Sequence, residues 1–206
     1  MARQSLILAS TSPRRISLLK QAGLRCKTVS PSADETIRKN EAPIKMVKRL
    51  AREKALSVVS KLKSSDKQVH IIIAADTIVV APDGKTVLGK PANQADAVKM
   101  LEKLSGRVHV VFTGYCIIKA KGSESVKQIV RAVKSSVKIR KLPKHSLHKY
   151  VLTEEPMDKA GAYAAQGIGM MIIEEIAGSY TNVVGLPMSQ LIADLELEFN
   201  IKTVLT

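Results

Sequence analysis

Two charged residues stand where the surrounding pattern calls for apolar ones. Asp76 interrupts residues 69–81, a run otherwise built of Val, Ile, Ala, Thr and one His. A carboxylate inside an aliphatic strand is costly unless it is paired or binds a metal. Lys54 is its mirror image. It lies four residues after Leu50 and four before Val58, within the apolar stripe of an amphipathic helix. The two could form a structural ion pair, or Lys54 could extend its stem and keep its ammonium in water. Buried ion pairs stabilise weakly, so their retention points to use. Glu35, beside Asp34 in a polar stretch, offers a second carboxylate or an ordinary solvated loop.

A second group of residues suits an anion. Ser10-Thr11-Ser12-Pro13-Arg14-Arg15 follows a short apolar run and opens a helix. Free backbone N–H groups and the helix dipole favour negative charge there, and arginine adds bidentate contacts to phosphate oxygens. Ordinary capping with two solvated arginines is the alternative. Lys90, framed by Gly89 and Pro91, suits a phosphate contact or a plain turn. No Walker phosphate loop, no Gly-x-Ser-x-Gly elbow and no Ser/His/Asp set occurs. His70, His109, His145 and His148 lack metal-ligand spacing, and Cys26 and Cys116 read as reduced core thiols.

The elements that must position these groups are readable from periodicity. Residues 6–9 form a buried strand, with Ser12 as N-cap and Pro13 as first residue of a helix that stops at Gly23. A short strand near 26–29 and a polar loop over 30–41 follow. Pro43 opens a long helix with Val47, Leu50, Ala51, Val58 and Leu62 inward. Residues 69–81 read as a central strand buried on both faces, turning at Pro82-Asp83-Gly84. Asn93 to Asp96 resembles a capping box. Residues 107–120 and 125–140 are long strands joined at Gly122. Pro143 opens a short helix, 155–169 is a Gly- and Ala-rich loop, 170–176 is a strand, and Pro187 opens a last helix with Leu191, Ile192, Leu195 and Phe199 inward. The alternation implies an α/β fold with a mixed sheet.

Composition narrows the partners. The formal net charge is +15, concentrated in 38–67 and 119–149, which suits a polyanionic partner. Aromatic residues make up 3% of the chain, so the stacking platforms of single-strand binders are nearly absent. A phosphate-bearing small molecule is therefore favoured over nucleic acid. No apolar stretch is long enough for a membrane span, and the N-terminus lacks a signal-peptide pattern, so cytoplasm is the expected location.

Six motifs, in order, cover nearly the whole chain: Ser10-x-Ser12-Pro13-Arg14-Arg15; Ala75-Asp76-Thr77-Ile78-Val79; Gly89-Lys90-Pro91; Gly106-Arg107-x-His109-x-Val111-x-Thr113-Gly114; Glu155-Pro156-x-Asp158-Lys159-Ala160-Gly161-Ala162-Tyr163; and Gly178-Ser179-Tyr180-x-Asn182-Val183-Val184-Gly185-Leu186-Pro187. Together they resemble the Maf-like nucleotide pyrophosphatase family. The resemblance implies a single domain over residues 1–206, with an elongated, two-lobed, mixed-sheet α/β fold around a central cleft, similar to the inosine triphosphate pyrophosphatases. Two departures stand out: Ala74 and Glu154 occupy positions where the family usually has glycine.

The implied reaction is metal-assisted attack of water on the α-phosphorus of a nucleoside triphosphate, releasing pyrophosphate. Asp76 would be the base, with Glu35 and Lys54 beside it in the catalytic set. Ser10, Arg14, Arg15, Lys54 and Lys90 would hold and neutralise the phosphates. Asp76 and Glu35 are the candidate ligands for Mg²⁺ or Mn²⁺. Residues 162–167 resemble the subgroup acting on dTTP and UTP, with Arg14, Thr77 and Gln166 where the family sets base preference. The Gln166 amide both donates and accepts, which suits the imide edge of thymine or uracil. Modified pyrimidine triphosphates are further candidate substrates, and a homodimer is common in such folds. The rival readings are the same chemistry on 7-methyl-GTP or another purine, and a non-catalytic nucleic-acid-binding regulator.

Overall fold

The computed structural model describes residues 4–65 and 68–206. Seven strands build one mixed sheet: β1 (Ser5–Ala9), β2 (Lys27–Val29), β3 (Val69–Val80), β4 (Val87–Leu88), β5 (Val108–Lys121), β6 (Glu124–Ile139) and β7 (Ile173–Ala177). Their order is β2-β1-β3-β5-β6-β7, with β4 paired to β3 off that path. β1 runs parallel to both its neighbours, with Ile7 opposite Lys27 and Ile72. β3 with β4 and β6 with β7 are antiparallel. Mixed pairing is thus observed, as the alternation of elements implied. Ile71 to Ala75 in β3 are fully buried, which is why that segment reads as an unbroken apolar run.

The helices are α1 (Pro13–Gln21), α2 (Pro43–Val59), α3 (Gln94–Leu104), α4 (Lys144–Val151), α5 (Tyr180–Val184) and α6 (Met188–Phe199). α1, α2, α3, α4 and α6 begin at the expected signals, whereas α5 is an additional short helix that no such signal marks. Prolines occupy the first turn of α1 and α2. In α3, Asn93 caps through Asp96 N–H at 2.9 Å, while the Asp96 carboxylate reaches back to Ala92 N–H at 3.0 Å. Leu62 falls beyond the end of α2, so the apolar stripe closes on Val58 and Val59 instead. None of the helices among the described residues is long and apolar enough to cross a membrane.

The chain divides into two compact units. The first comprises Met1–Asp76, Thr113–Ala132 and Gly185–Thr206, and the second Thr77–Phe112 and Val133–Val184. The core of the first packs Ala51, Ala55 and Val58 of α2 against Ile72 and Ala74 of β3 and Cys116 and Ile118 of β5. Burial pushes the Cys116 thiol up to about 12, so it stays a protonated, inert core group. Cys26, by contrast, precedes β2 and is half-buried, so only Cys116 is a true core thiol. The core of the second unit packs Leu101 and Leu104 of α3 with Leu147 and Val151 of α4, Val137, Ile139 and Tyr163.

The basic strand β6 carries its charge on a wet face, and acids from neighbouring elements answer it. In the first unit Lys127 meets Glu198 at 2.7 Å and Arg131 meets Asp194 at 3.1 Å. In the second, Lys138 meets Glu174 at 2.7 Å. Much of the basic character of this strand is therefore local ion pairing.

Two expectations for residues 155–176 need correction. The segment 155–169 is not an open loop: it holds 3-10 turns at Glu155–Asp158, Ala160–Ala162 and Gly167–Ile172, and Ala162 to Ala165 are buried. The strand begins at Ile173 rather than 170. A short apolar run does not distinguish strand from tight helix by period alone, and Gly167 at φ +65° bends the chain into the turn.

Glu154 has φ +60° and ψ −7°, the left-handed conformation in which a side chain is strained and glycine is not. This explains why glycine is the usual residue there. Glu154→Gly is therefore expected to raise stability by about 0.5–1 kcal/mol. Urea denaturation checks this, and a lower midpoint would contradict it.

Candidate functional site

The register of β1 and β3 sets up the site in the first unit. Ala9 lies opposite Ala74, so Ser10 directly follows the end of β1, while Asp76 lies within β3, two residues past its last partner in β1. The carboxyl end of a parallel strand such as β1 is where ligands characteristically bind in open α/β sheets. α1 begins three residues after Ser10, so its N-terminus lies at the same end.

Asp76, 8% exposed, meets the Lys54 ammonium at 2.6 Å. Lys54 in turn meets Glu35 at 2.6 Å. One ammonium, itself 13% exposed, thus joins a buried carboxylate from β3 to a largely exposed one from the loop before α2. The pairing of Asp76 with Lys54 is the arrangement their misplaced charges suggested. The structure adds Glu35 to it, with that carboxylate still two-thirds exposed in its loop.

Ser10 is buried and its Oγ accepts the Ser12 N–H at 3.1 Å and Arg15 Nη1 at 3.5 Å. Arg15 Nε donates to the Gly185 carbonyl at 2.8 Å. Burial lowers the Arg15 guanidinium from its usual range, with Asp76 and Glu35 opposing that shift and Arg14 reinforcing it. Arg15 therefore feels both carboxylates. Ser12 occupies the N-cap position of α1 as expected, but makes no side-chain cap hydrogen bond among the described residues. Ser10, Arg15, Lys54, Asp76 and Glu35 are thereby brought into one charged neighbourhood, with Arg14 beside them on α1.

The remaining sequence candidates belong to the second unit. Thr77 follows Asp76 in β3 and is half-buried. Lys90 is exposed just after β4, where Gly89 accepts the Gly161 N–H at 3.0 Å. Gln166 is half-buried and precedes the 3-10 turn Gly167–Ile172. The Glu155 carboxylate holds that turn: it accepts the N–H groups of Ile168 at 2.9 Å and Gly169 at 2.8 Å, and the Tyr150 hydroxyl at 2.9 Å. The Tyr180 hydroxyl donates to the Ala165 carbonyl at 3.1 Å, so the backbone is tied on both sides of Gln166. Neighbouring Tyr163 is buried, with its hydroxyl 2.8 Å from His109 Nε2. Burial holds His109 down at about 4, so it is neutral at physiological pH.

No role was legible in the sequence for Glu155, Tyr150, His109 or Arg49, whose hydrogen bonds only the structure shows. For Arg49 a pairing signal alone was present, since Glu53 lies four residues on along the same helix.

Asp76 and Glu35 are hard oxygen donors already within reach of one point of positive charge, the Lys54 ammonium. No group of three or more His, Cys, Asp or Glu side chains suited to a metal occurs among the described residues. Mg²⁺ is usually held by only one or two carboxylates together with substrate phosphates, so the pair fits such an ion and does not form a complete protein cage.

The chain is similar to known nucleotide pyrophosphatases. A dTTP/UTP pyrophosphatase of Syntrophus aciditrophicus is 42% identical over 196 residues, covering 95% of this chain and 91% of that protein. One of Caldicellulosiruptor saccharolyticus is 45% identical over 189 residues, covering 91% and 92%. A solved nucleoside-triphosphatase, a dITP/XTP pyrophosphatase from Mycobacterium abscessus, overlaps 93% of each chain at 12% identity with a TM-score of 0.40. The family model described as Maf-like protein matches residues 5–197. With its motifs in order and this match across nearly its full length, the chain belongs to the Maf-like family.

Proposed function

We propose that this protein hydrolyses dTTP and UTP, and modified pyrimidine triphosphates of the same shape, to the monophosphate and pyrophosphate, acting in the cytoplasm. The observation that carries the reading is the Asp76–Lys54–Glu35 cluster beside Ser10 and Arg15. The names of the two relatives point to the same substrates.

In this mechanism Asp76 takes a proton from water as the water oxygen attacks the α-phosphorus. The bond from that phosphorus to the oxygen bridging it to the β-phosphate breaks, and the electron pair leaves with pyrophosphate. Lys54 and Glu35 orient the Asp76 carboxylate. Ser10, Arg14, Arg15 and Lys90 bind and neutralise phosphate oxygens, helped by the positive end of α1. Such a reaction depends on positioning and charge neutralisation more than on covalent groups. Asp76 and Glu35 would hold Mg²⁺ or Mn²⁺, which screens the charge of the phosphates when bound. Gln166, with Arg14 and Thr77, sets the preference for the base.

The test is pyrophosphate release from dTTP, UTP, CTP, GTP and 7-methyl-GTP, with Mg²⁺, Mn²⁺ or EDTA. Release is expected to be fastest with dTTP and UTP and to vanish in EDTA. Gln166→Glu, which removes the amide donor, is expected to cut kcat/KM for dTTP by about tenfold or more, because a site built to hydrogen-bond its substrate loses that pairing. Release from a guanine nucleotide alone would overturn the base assignment. Release from none of the five would overturn the reaction.

A further inference from the structure

All five N–H bonds of the Arg49 guanidinium are committed within the first unit. Nε and Nη2 form a fork on Glu41 at 2.7 and 2.8 Å. Nη1 reaches Glu53 at 3.2 Å, one turn on in α2. The two remaining bonds go to backbone: Nη1 donates to the Asp34 carbonyl and Nη2 to the Thr36 carbonyl, each at 3.1 Å. Arginine has five donors and no acceptor, so this inventory is complete.

Asp34 and Thr36 are the residues on either side of Glu35. Arg49 therefore grips the backbone before and after the residue whose carboxylate meets Lys54 at 2.6 Å. Arg49 and Lys54 are five residues apart on α2. The same helix thus holds the Glu35 backbone with one cation and its side chain with another. Arg49 and Glu41 are each only 11% exposed, although Glu41 lies in a stretch with no regular structure. The Arg49 fork holds the Glu41 carboxyl below its usual range, and Glu41 raises Arg49 in return. Asp34 stiffens the same turn by accepting the Thr36 N–H at 3.0 Å.

We propose that Arg49 is a positioning residue for the hydrolysis: it fixes the backbone around Glu35 so that this carboxylate reaches the Lys54–Asp76 pair. The inference rests on the catalytic reading of Glu35 given above. A lysine at position 49 offers three donors around a point charge. It cannot make the fork to Glu41 and grip both carbonyls together.

The test is a double-mutant cycle read as kcat and KM separately on dTTP. Arg49→Lys is expected to lower kcat by about 10- to 100-fold, the range that misplacing a catalytic group incurs, with KM changed by less than about threefold. In a Glu35→Gln background the same substitution is expected to cost less than about twofold further, because the loop then positions no carboxylate. Full turnover by Arg49→Lys, or an equal loss in both backgrounds, would overturn the inference. Full turnover by Glu35→Gln would overturn the reading beneath it instead. Should Arg49→Lys fail to fold, Glu41→Gln weakens the fork while keeping the guanidinium. It is expected to lower kcat about threefold to tenfold, part of the fork's contribution. An unchanged kcat there would equally overturn the proposal.

Discussion

Asp76→Asn is expected to lower kcat on dTTP by about 10²- to 10⁴-fold, the usual contribution of a positioned general base. The substitution is nearly isosteric, and an asparagine oxygen can still accept from Lys54, now 2.6 Å from the carboxylate. The ammonium also keeps Glu35. The fold should therefore survive, with a stability loss of about 1–3 kcal/mol for weakening one charge-assisted hydrogen bond in a buried setting. The two effects are separable. Turnover is measured on protein whose urea midpoint shows it folded. A variant that loses stability yet turns over at the wild-type rate would make the Asp76–Lys54 contact a structural ion pair and nothing more. A variant that folds and loses turnover would place Asp76 in the reaction.

Gly114→Ala is expected to cost about 3 kcal/mol or more, at the upper end of overpacking, because the clash is with backbone. A Cβ at Gly114 would lie 2.3 Å from the Val47 carbonyl oxygen, 2.4 Å from its carbon and 2.9 Å from Lys48 N. These are main-chain atoms of α2, so no rotamer change relieves the overlap. β5 or α2 must shift, and α2 carries both Arg49 and Lys54. Native domains retain only about 5–15 kcal/mol in total, so a loss of this size should show as a large fall in denaturation midpoint. Gly84→Ala is the contrasting substitution. Its Cβ meets nothing within 4 Å, although φ is +71°, so only the conformational penalty of about 1 kcal/mol applies. Equal effects at the two positions would show that close approach to α2 is not what Gly114 provides.

The same close approach shows what local pattern can and cannot express. Glycine at 114 is visible in the sequence, but nothing near it names Val47 as the neighbour, 67 positions away. The three-residue and four-residue steps of α2 and the apolar run of β3 were legible because each follows a fixed period that buries one face or both. Asp76 and Lys54 were conspicuous for the same reason: each breaks a period, and a buried charge requires a partner. Glu35 was harder. A polar loop has no period, so nothing in the sequence connects its carboxylate to Lys54; the chain path makes that contact.

Residues 155–172 failed in a different way. Their Gly, Ala and Met content is compatible with loop, strand or tight helix, and the choice depends on Glu155 capping Ile168 and Gly169 from 13 and 14 positions away. Arg49 carried a helical i,i+4 hint with Glu53, but its grip on the Asp34 and Thr36 carbonyls involves backbone atoms that every residue possesses. By itself, then, the sequence determined most of the longer elements, their buried faces, the family motifs and the two charges that needed partners. Only the tertiary structure decided which carboxylates share the Lys54 ammonium, what holds the Glu35 loop and how closely β5 approaches α2. Periodicity records burial along a single element, whereas contacts across long separations are set by loop path and close packing.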